Sequence, residues 1–212
     1  MNSLFNPDTR LFRIMSWITQ LIGLNVLTFL CCIPVVTMGA AFSAAHKVMH
    51  DMLYDGEDEV IKPFFRAFKH SFKQATVVWL AYLLIVIVCM FNIMMVDTTF
   101  EGTLRLVTYI FVIALLVGFS CIGSVLFPLI GRHRNTLLEH LSNTLILTLT
   151  HPLQALAMAA LNAFPFLLAY SSLLRFLQSM VIWLTFGVGI IFLLDGLLMK
   201  RIYNQMDKAL EG

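Results

Sequence analysis

The 212-residue chain is 59% hydrophobic and only 12% charged, with a net charge of +2. That leaves too little polar surface to cover a water-soluble globule, so composition excludes an ordinary soluble domain and points to a membrane protein. Cys31, Cys32, Cys89 and Cys121 all fall in apolar stretches without C-x-x-C or disulfide-framework spacing, and they read as small buried hydrophobes.

Five apolar stretches, residues 14–36, 75–96, 104–130, 152–174 and 180–199, are each long enough to cross a bilayer, which takes about 20 residues in a helix. The first follows Arg10 and Arg13 and precedes Gly39-Ala40-Ala41, an arrangement that imitates a cleavable secretory signal. Its apolar run is longer than a signal core and Pro34 interrupts it late, so it is read as a retained first span with a kink at Pro34. Gly39, Ala40, Ala41, Ser43, Ala44 and Ala45 then offer a small-residue surface on which another helix can pack closely.

His46 and His50 stand four residues apart, as in a zinc-binding H-E-x-x-H. Lys47 occupies the position of the glutamate base and no third ligand has a recognisable spacing, so the pair is read as interfacial histidines on a surface helix and no metal site is expected. Asp51, Asp55, Glu57, Asp58 and Glu59 form a solvated acidic turn around Gly56. Beyond Pro63, which suits a first helical turn, Arg66, Lys69 and Lys73 interleave with Phe65, Phe68 and Phe72. This spacing predicts an amphipathic helix over residues 64–73, lying at the lipid headgroups or docking a partner before the chain turns into the second span.

A second amphipathic element is expected over residues 135–149, with a polar stripe through Glu139 and Asn143. Span, surface helix and span thus occur twice in one order, which suggests a weak parallel repeat. The fourth span, opening at His151-Pro152, carries Ala155, Ala159 and Ala163 as a packing face. Within the spans the ionisable side chain that asks for an explanation is Asp195, read as reaching Lys200, Arg201 or water, or else as facing a substrate or ion. Gln20, Asn25, Asn92 and Asn162 are amides of the kind that bond between helices. Asp195, Asn25 and Asn162 are the candidates for a polar, substrate-facing set.

Five spans place the chain ends on opposite sides. Ten of the Lys and Arg residues then share one face and four (Arg10, Arg13, Arg105, Arg175) the other, which puts the C-terminus in the cytoplasm and the N-terminus outside. Arg10 and Arg13 argue locally for the reverse; if they prevail, the first or fourth span is miscounted. No phosphate-binding loop, nucleophile elbow or dinucleotide fingerprint occurs. An enzyme is not expected, no cofactor is implied, and basic residues confined to the membrane boundary do not describe a nucleic-acid surface.

The residues Leu4-Phe5-Asn6-Pro7-Asp8, Leu24-Asn25-Val26-Leu27, the run from Ile33 to Gly39 and the segment from Phe64 to Ala75 carry a resemblance to the YesL family of small bacterial membrane proteins. Its specific motifs cover roughly the first 80 residues, with His70-Ser71 and Ile33 departing from the usual pattern. The resemblance implies a multi-pass protein of the bacterial cytoplasmic membrane, often encoded beside carbohydrate-uptake ABC transporters and polysaccharide-degrading enzymes, and it carries no activity to any residue. The expectation is therefore an all-α polytopic membrane protein of a single domain. It would serve as a non-enzymatic accessory to an oligosaccharide importer, touching the lipid bilayer and either permease subunits or its own copies. The alternative is a small-solute transporter or channel.

Overall fold

The computed structural model describes residues 10–56, 59–99, 101–171, 174, 177–178 and 182–210, and among these the chain is all-α, without strands. Helix α1 (Arg10–Cys32) passes through a 3-10 turn (Val35–Thr37) into α2 (Met38–Tyr54). Two long helices follow, α3 (Ile61–Thr99) and α4 (Gly102–Arg132), then α5 (Leu137–Thr150) and α6 (Pro152–Ser171). A single π-helical turn (Trp183–Gly187) opens into the last helix, α7 (Val188–Leu210).

Local chemistry sets several of these boundaries. Pro34 disfavours helical geometry at Ile33 and cannot donate a backbone bond, so α1 stops at Cys32 rather than running on to residue 36. The Thr37 hydroxyl closes the turn, lying 2.5 Å from the Cys31 carbonyl and 2.8 Å from that of Pro34. Gly56, with φ at 64°, takes the left-handed conformation that ends the α2 segment. Thr136 and Glu139 form a reciprocal capping box at the start of α5, satisfying two backbone donors that the first turn leaves open. At His151-Pro152 the chain bends by 106° into α6, and Pro152 occupies the first helical position, where its missing N–H costs nothing.

Three helical stretches are long and apolar enough to cross a bilayer: Arg13–Cys32, Ile61–Val96 and Gly102–Arg132. A fourth arises if the bent pair Leu137–Thr150 and Pro152–Pro165 counts as one span. The described residues therefore support three or four such stretches, where sequence alone suggested five. Residues 180 and 181, at the start of the expected fifth span, lie outside the described residues, and the rest of that segment is divided by the π turn. Outward-facing side chains on α3 and α4, among them Leu84, Ile87, Phe91, Ile110 and Phe111, are apolar and exposed, as a lipid-facing surface requires.

The main departure from expectation is α2. Residues 38–54, expected as a connection with surface histidines, form a helix enclosed by α1, α3, α4 and α7, burying Gly39, Ala40, Ala41, Ser43, Ala44, Ala45, His46 and Asp51 among others. Absence of side-chain bulk permits this. A methyl group added to Gly39 would lie 2.5 Å from the Ala75 carbonyl oxygen and from Trp79 Cβ, and one added to Gly131 of α4 would collide with the Ser43 carbonyl. Ser43 Oγ donates to the Phe127 carbonyl at 3.0 Å, tying α2 to α4 beside Pro128.

Contacts along α7 fix the direction of the first two helices. Leu21 packs on Gly189 and Asn25 reaches Trp183, whereas Met49 and Leu53 pack on Gly196. Phe42 meets Phe192 while Tyr54 reaches Gly196, so following the chain from Trp183 through α7 to Gly196 runs backwards along α1 and forwards along α2, and α1 and α2 form an antiparallel hairpin. Its turn is held by Trp79, whose indole Nε1 donates to the Val35 carbonyl at 2.7 Å.

Residues 64–73 also differ from expectation. They are not a separate surface helix but part of the first third of α3, which runs unbroken for 39 residues, or about 58 Å. Phe64 is buried and Phe68 half-buried in the packing against α2, while Phe65 and Phe72 share the exposed side with Arg66, Lys69 and Lys73. Rings and cations are therefore not on opposite faces. The suggested repeat weakens accordingly, since the counterpart of this region, α5, is a separate helix that buries only His140, Thr144 and Leu147.

The tight α2 contacts make a testable contrast. Gly39→Val should lower stability in detergent by about 1–3 kcal/mol through overpacking. Gly23→Ala, at a position with nothing within 4 Å, should leave stability unchanged or raise it by up to about 1 kcal/mol. Thermal unfolding of the two variants beside the parent checks both.

Candidate functional site

Asp195 is completely buried on the side of α7 that faces α2 and α6. Asn162 of α6 places its amide Nδ2 2.8 Å from Asp195 Oδ2 and 2.8 Å from the Met158 carbonyl, donating to both. His46 of α2 brings Nε2 to 4.0 Å from the same carboxylate oxygen, too far for a hydrogen bond but close enough for charge to matter. Its ring meets Phe192 edge-on at 4.6 Å. The other oxygen, Asp195 Oδ1, is buried with no hydrogen-bond partner among the described residues. Two turns further toward the end of α2, the Tyr54 hydroxyl donates to the Gly196 carbonyl at 3.3 Å.

The sequence places Asp195 five residues from Lys200 and suggests an ion pair or an escape to water. The helix instead turns the carboxylate inward, and Lys200 Nζ stands over the Tyr54 ring at 5.3 Å. The arrangement can hold a proton or orient a polar partner. It offers neither a nucleophile with an adjacent base nor a converging set of anionic ligands.

Asn25 belongs to a different place. Its Nδ2 donates to the Trp183 carbonyl at 3.1 Å and its Oδ1 accepts from the Gly189 N–H at 2.9 Å. A π turn interrupts the regular helical ladder and leaves such backbone groups to be satisfied from outside. The Asn25 amide supplies a donor and an acceptor together, clamping α1 to the start of the last helix. Of the three polar candidates, the structure therefore brings Asp195 and Asn162 into contact and assigns Asn25 to a helix junction. Asn92 bonds the Val88 carbonyl of its own helix at 2.8 Å.

His46 was the participant that sequence reasoning missed, because burial of α2 is invisible to hydropathy. A signal did exist: His46 lies on the same helical face as the small residues at 39 and 43, which marks a packed rather than a solvated side. The other histidine, His50, packs tilted against Tyr54 and edge-on against Tyr203, with ring centroids 4.6 and 5.4 Å away.

Among the described residues, His50, Asp51 and Asp55 are the group of potential metal ligands whose donor atoms come within 4.8 Å of one another. Lys47 Nζ already sits 2.6 Å from Asp51 Oδ1 and His50 Nδ1 at 3.6 Å, so a cation there would have to displace an ammonium. Burial pushes the Asp51 carboxyl up, but the adjacent His50 and Lys47 outweigh it and hold the group below the usual carboxylate range. Pro34 forms the α1–α2 turn, and Gly39 and Ser43 make the α2 contacts described above. Arg66, Lys69 and Lys73 are exposed near the start of α3.

A family model described as "Protein of unknown function, DUF624" matches residues 21–93, a segment that holds the second half of α1, all of α2 with His46, and most of α3 but neither Asn162 nor Asp195. No curated protein and no solved structure matches the chain.

The polar contact predicts a coupled mutational response. Asn162→Leu removes the one hydrogen-bond donor that the described residues give Asp195 and should destabilise the protein by about 1–3 kcal/mol. Adding Asp195→Leu to that variant should recover part of the loss, because no buried carboxylate then lacks its partner. A double-mutant cycle by thermal unfolding measures the coupling, and strictly additive losses would contradict it.

Proposed function

We propose that this is a non-enzymatic integral membrane protein of the YesL type, acting as an accessory component beside a carbohydrate ABC-type importer in the bacterial cytoplasmic membrane. The observation that carries this reading over the transporter alternative is the separation of the polar residues. Asn25 is consumed by the π-turn clamp and Asp195 by Asn162, so they do not converge on a common aqueous path. Transporter sites are built instead where irregular backbone and polar side chains line a cavity near the midplane. The match to a family model over residues 21–93 and the motifs shared with the YesL family supply the remaining support, and the link to carbohydrate uptake rests on that resemblance alone.

The hairpin supports a particular orientation. Its turn packs on Trp79, about 6 Å along α3 from Ala75 and about 25 Å short of Val96, so α1 and α2 enter and leave the bilayer from the same side. Both chain ends are then cytoplasmic, in place of an external N-terminus. Arg10 and Arg13 join the ten cations of that face, leaving Arg105 and Arg175 opposite, and twelve against two satisfies the positive-inside tendency better than ten against four.

Two measurements test this reading. Native-level expression followed by mild-detergent purification should enrich permease subunits of a carbohydrate importer relative to an unrelated polytopic control, and absence of enrichment sinks the accessory role. In a variant lacking the four native cysteines, Ser3→Cys should resist a membrane-impermeant maleimide in intact cells and react after lysis. Glu101→Cys should react in both. Labelling of Ser3→Cys in intact cells would restore the external N-terminus.

A further inference from the structure

Where α2, α3 and the end of α4 meet, Lys47, Arg66, His70, Arg132 and Arg134 surround a crevice of about 290 Å³. The five basic side chains come from three helices and the link that follows α4. Two carboxylates, Asp51 and Asp55, share the lining. Asp51 is held by Lys47 at 2.6 Å, so that pair is internally neutral. Lys47, Arg66, Arg132 and Arg134 against these two carboxylates leave an excess of two positive charges.

These cations are positioned differently from those of an ordinary charged surface. The Arg132 guanidinium lies over the Tyr203 ring, 4.1 Å from its centroid, a cation–π contact that holds it at the end of α4. Arg66 and Arg134 are exposed, and among the described residues neither has a carboxylate within 4.0 Å. Arg132 closes the apolar stretch of α4, which sets the crevice at the depth where a bilayer presents its headgroups. Its volume falls at the small end of ligand pockets, which run from about 300 to 1,000 Å³, and suits a headgroup rather than a larger solute.

We propose that this crevice is a binding seat for a phosphate group, and that its occupant is the headgroup of an anionic phospholipid. Arginine forks recognise phosphate oxygens in pairs, and basic pockets between membrane helices are a recurrent seat for anionic headgroups. An occupied seat bridges α2, α3 and α4 where they leave the membrane.

The test uses the full chain, purified in mild detergent and given phosphatidylglycerol, phosphatidylcholine or inorganic phosphate, with binding read by native mass spectrometry and by thermal stabilisation. Phosphatidylglycerol should bind and stabilise where phosphatidylcholine does not. Arg66→Gln with Arg134→Gln should weaken that binding on the order of tenfold or more, since each cation near an anionic headgroup contributes substantially. Lys69→Gln with Lys73→Gln removes the same charge from residues that do not line the crevice, and should weaken it less than about threefold. Equal losses in the two double variants overturn the seat, as does an absence of both lipid preference and phosphate binding. Binding of inorganic phosphate without phosphatidylglycerol keeps the phosphate site and overturns the lipid as its occupant.

Discussion

Close approach of backbones around α2 is the constraint on which the rest of the structure depends. Inside a bilayer the lipid is as apolar as leucine, so helices associate through packing and interhelical hydrogen bonds rather than by leaving water. Gly39 against Ala75 and Trp79, and Gly131 against the Ser43 carbonyl, remove the side-chain bulk that would hold α3 and α4 away. Once α2 is enclosed, its polar groups must find partners within the protein. Ser43 bonds the Phe127 carbonyl, and His46 is set against Phe192 and Asp195. Asp51, nearer the end of the helix, takes Lys47. The buried cluster and the basic crevice both follow from that one placement.

The Asp195 cluster shows how packing limits what a polar group can do. A carboxylate excluded from water is costly unless several hydrogen bonds compensate it, yet here one oxygen accepts from Asn162 and the other has no partner among the described residues. Polar pairs between membrane helices contribute modestly to stability, on the order of 1 kcal/mol. The arrangement specifies how α6 meets α7 more than it strengthens their contact. Asn25 illustrates the same economy at the π turn, where one amide serves both a carbonyl and an N–H of the irregular backbone.

Much of the fold was legible in the sequence where a residue acts through its own backbone. Pro34 ends α1, Pro63 sits in the first turn of α3, and the uncharged run from Ala75 to Val96 lies within one continuous helix. Thr136-Leu137-Leu138-Glu139 spells a capping box, although the polar stripe drew attention first. Hydropathy misread α2 because His46, Lys47, His50 and Asp51 have the composition of a solvated connection. Whether a polar helix is wrapped by others is decided by partners distant in sequence. The same limit hid the pairing of Asn162 with Asp195 and of Asn25 with Trp183, since a periodic pattern names a face but not what covers it.

Folding α1 and α2 into a hairpin also changes the electrostatics of the molecule. In a five-span reading, Arg10 and Arg13 oppose the orientation chosen by the other cations, a conflict that sequence alone leaves in place. Under the proposed arrangement the hairpin returns them to the side that carries Arg66, Lys69, Lys73, Arg132 and Arg134. The same reversal brings the end of α2 down beside Arg132, and so adds Lys47 to the crevice lining. Four of the cations that orient the chain during insertion, Lys47, Arg66, Arg132 and Arg134, thereby line one crevice in the finished fold. Orientation and headgroup recognition would then share these four charges, with Lys47 brought to them by a turn that Pro34 begins and Trp79 holds.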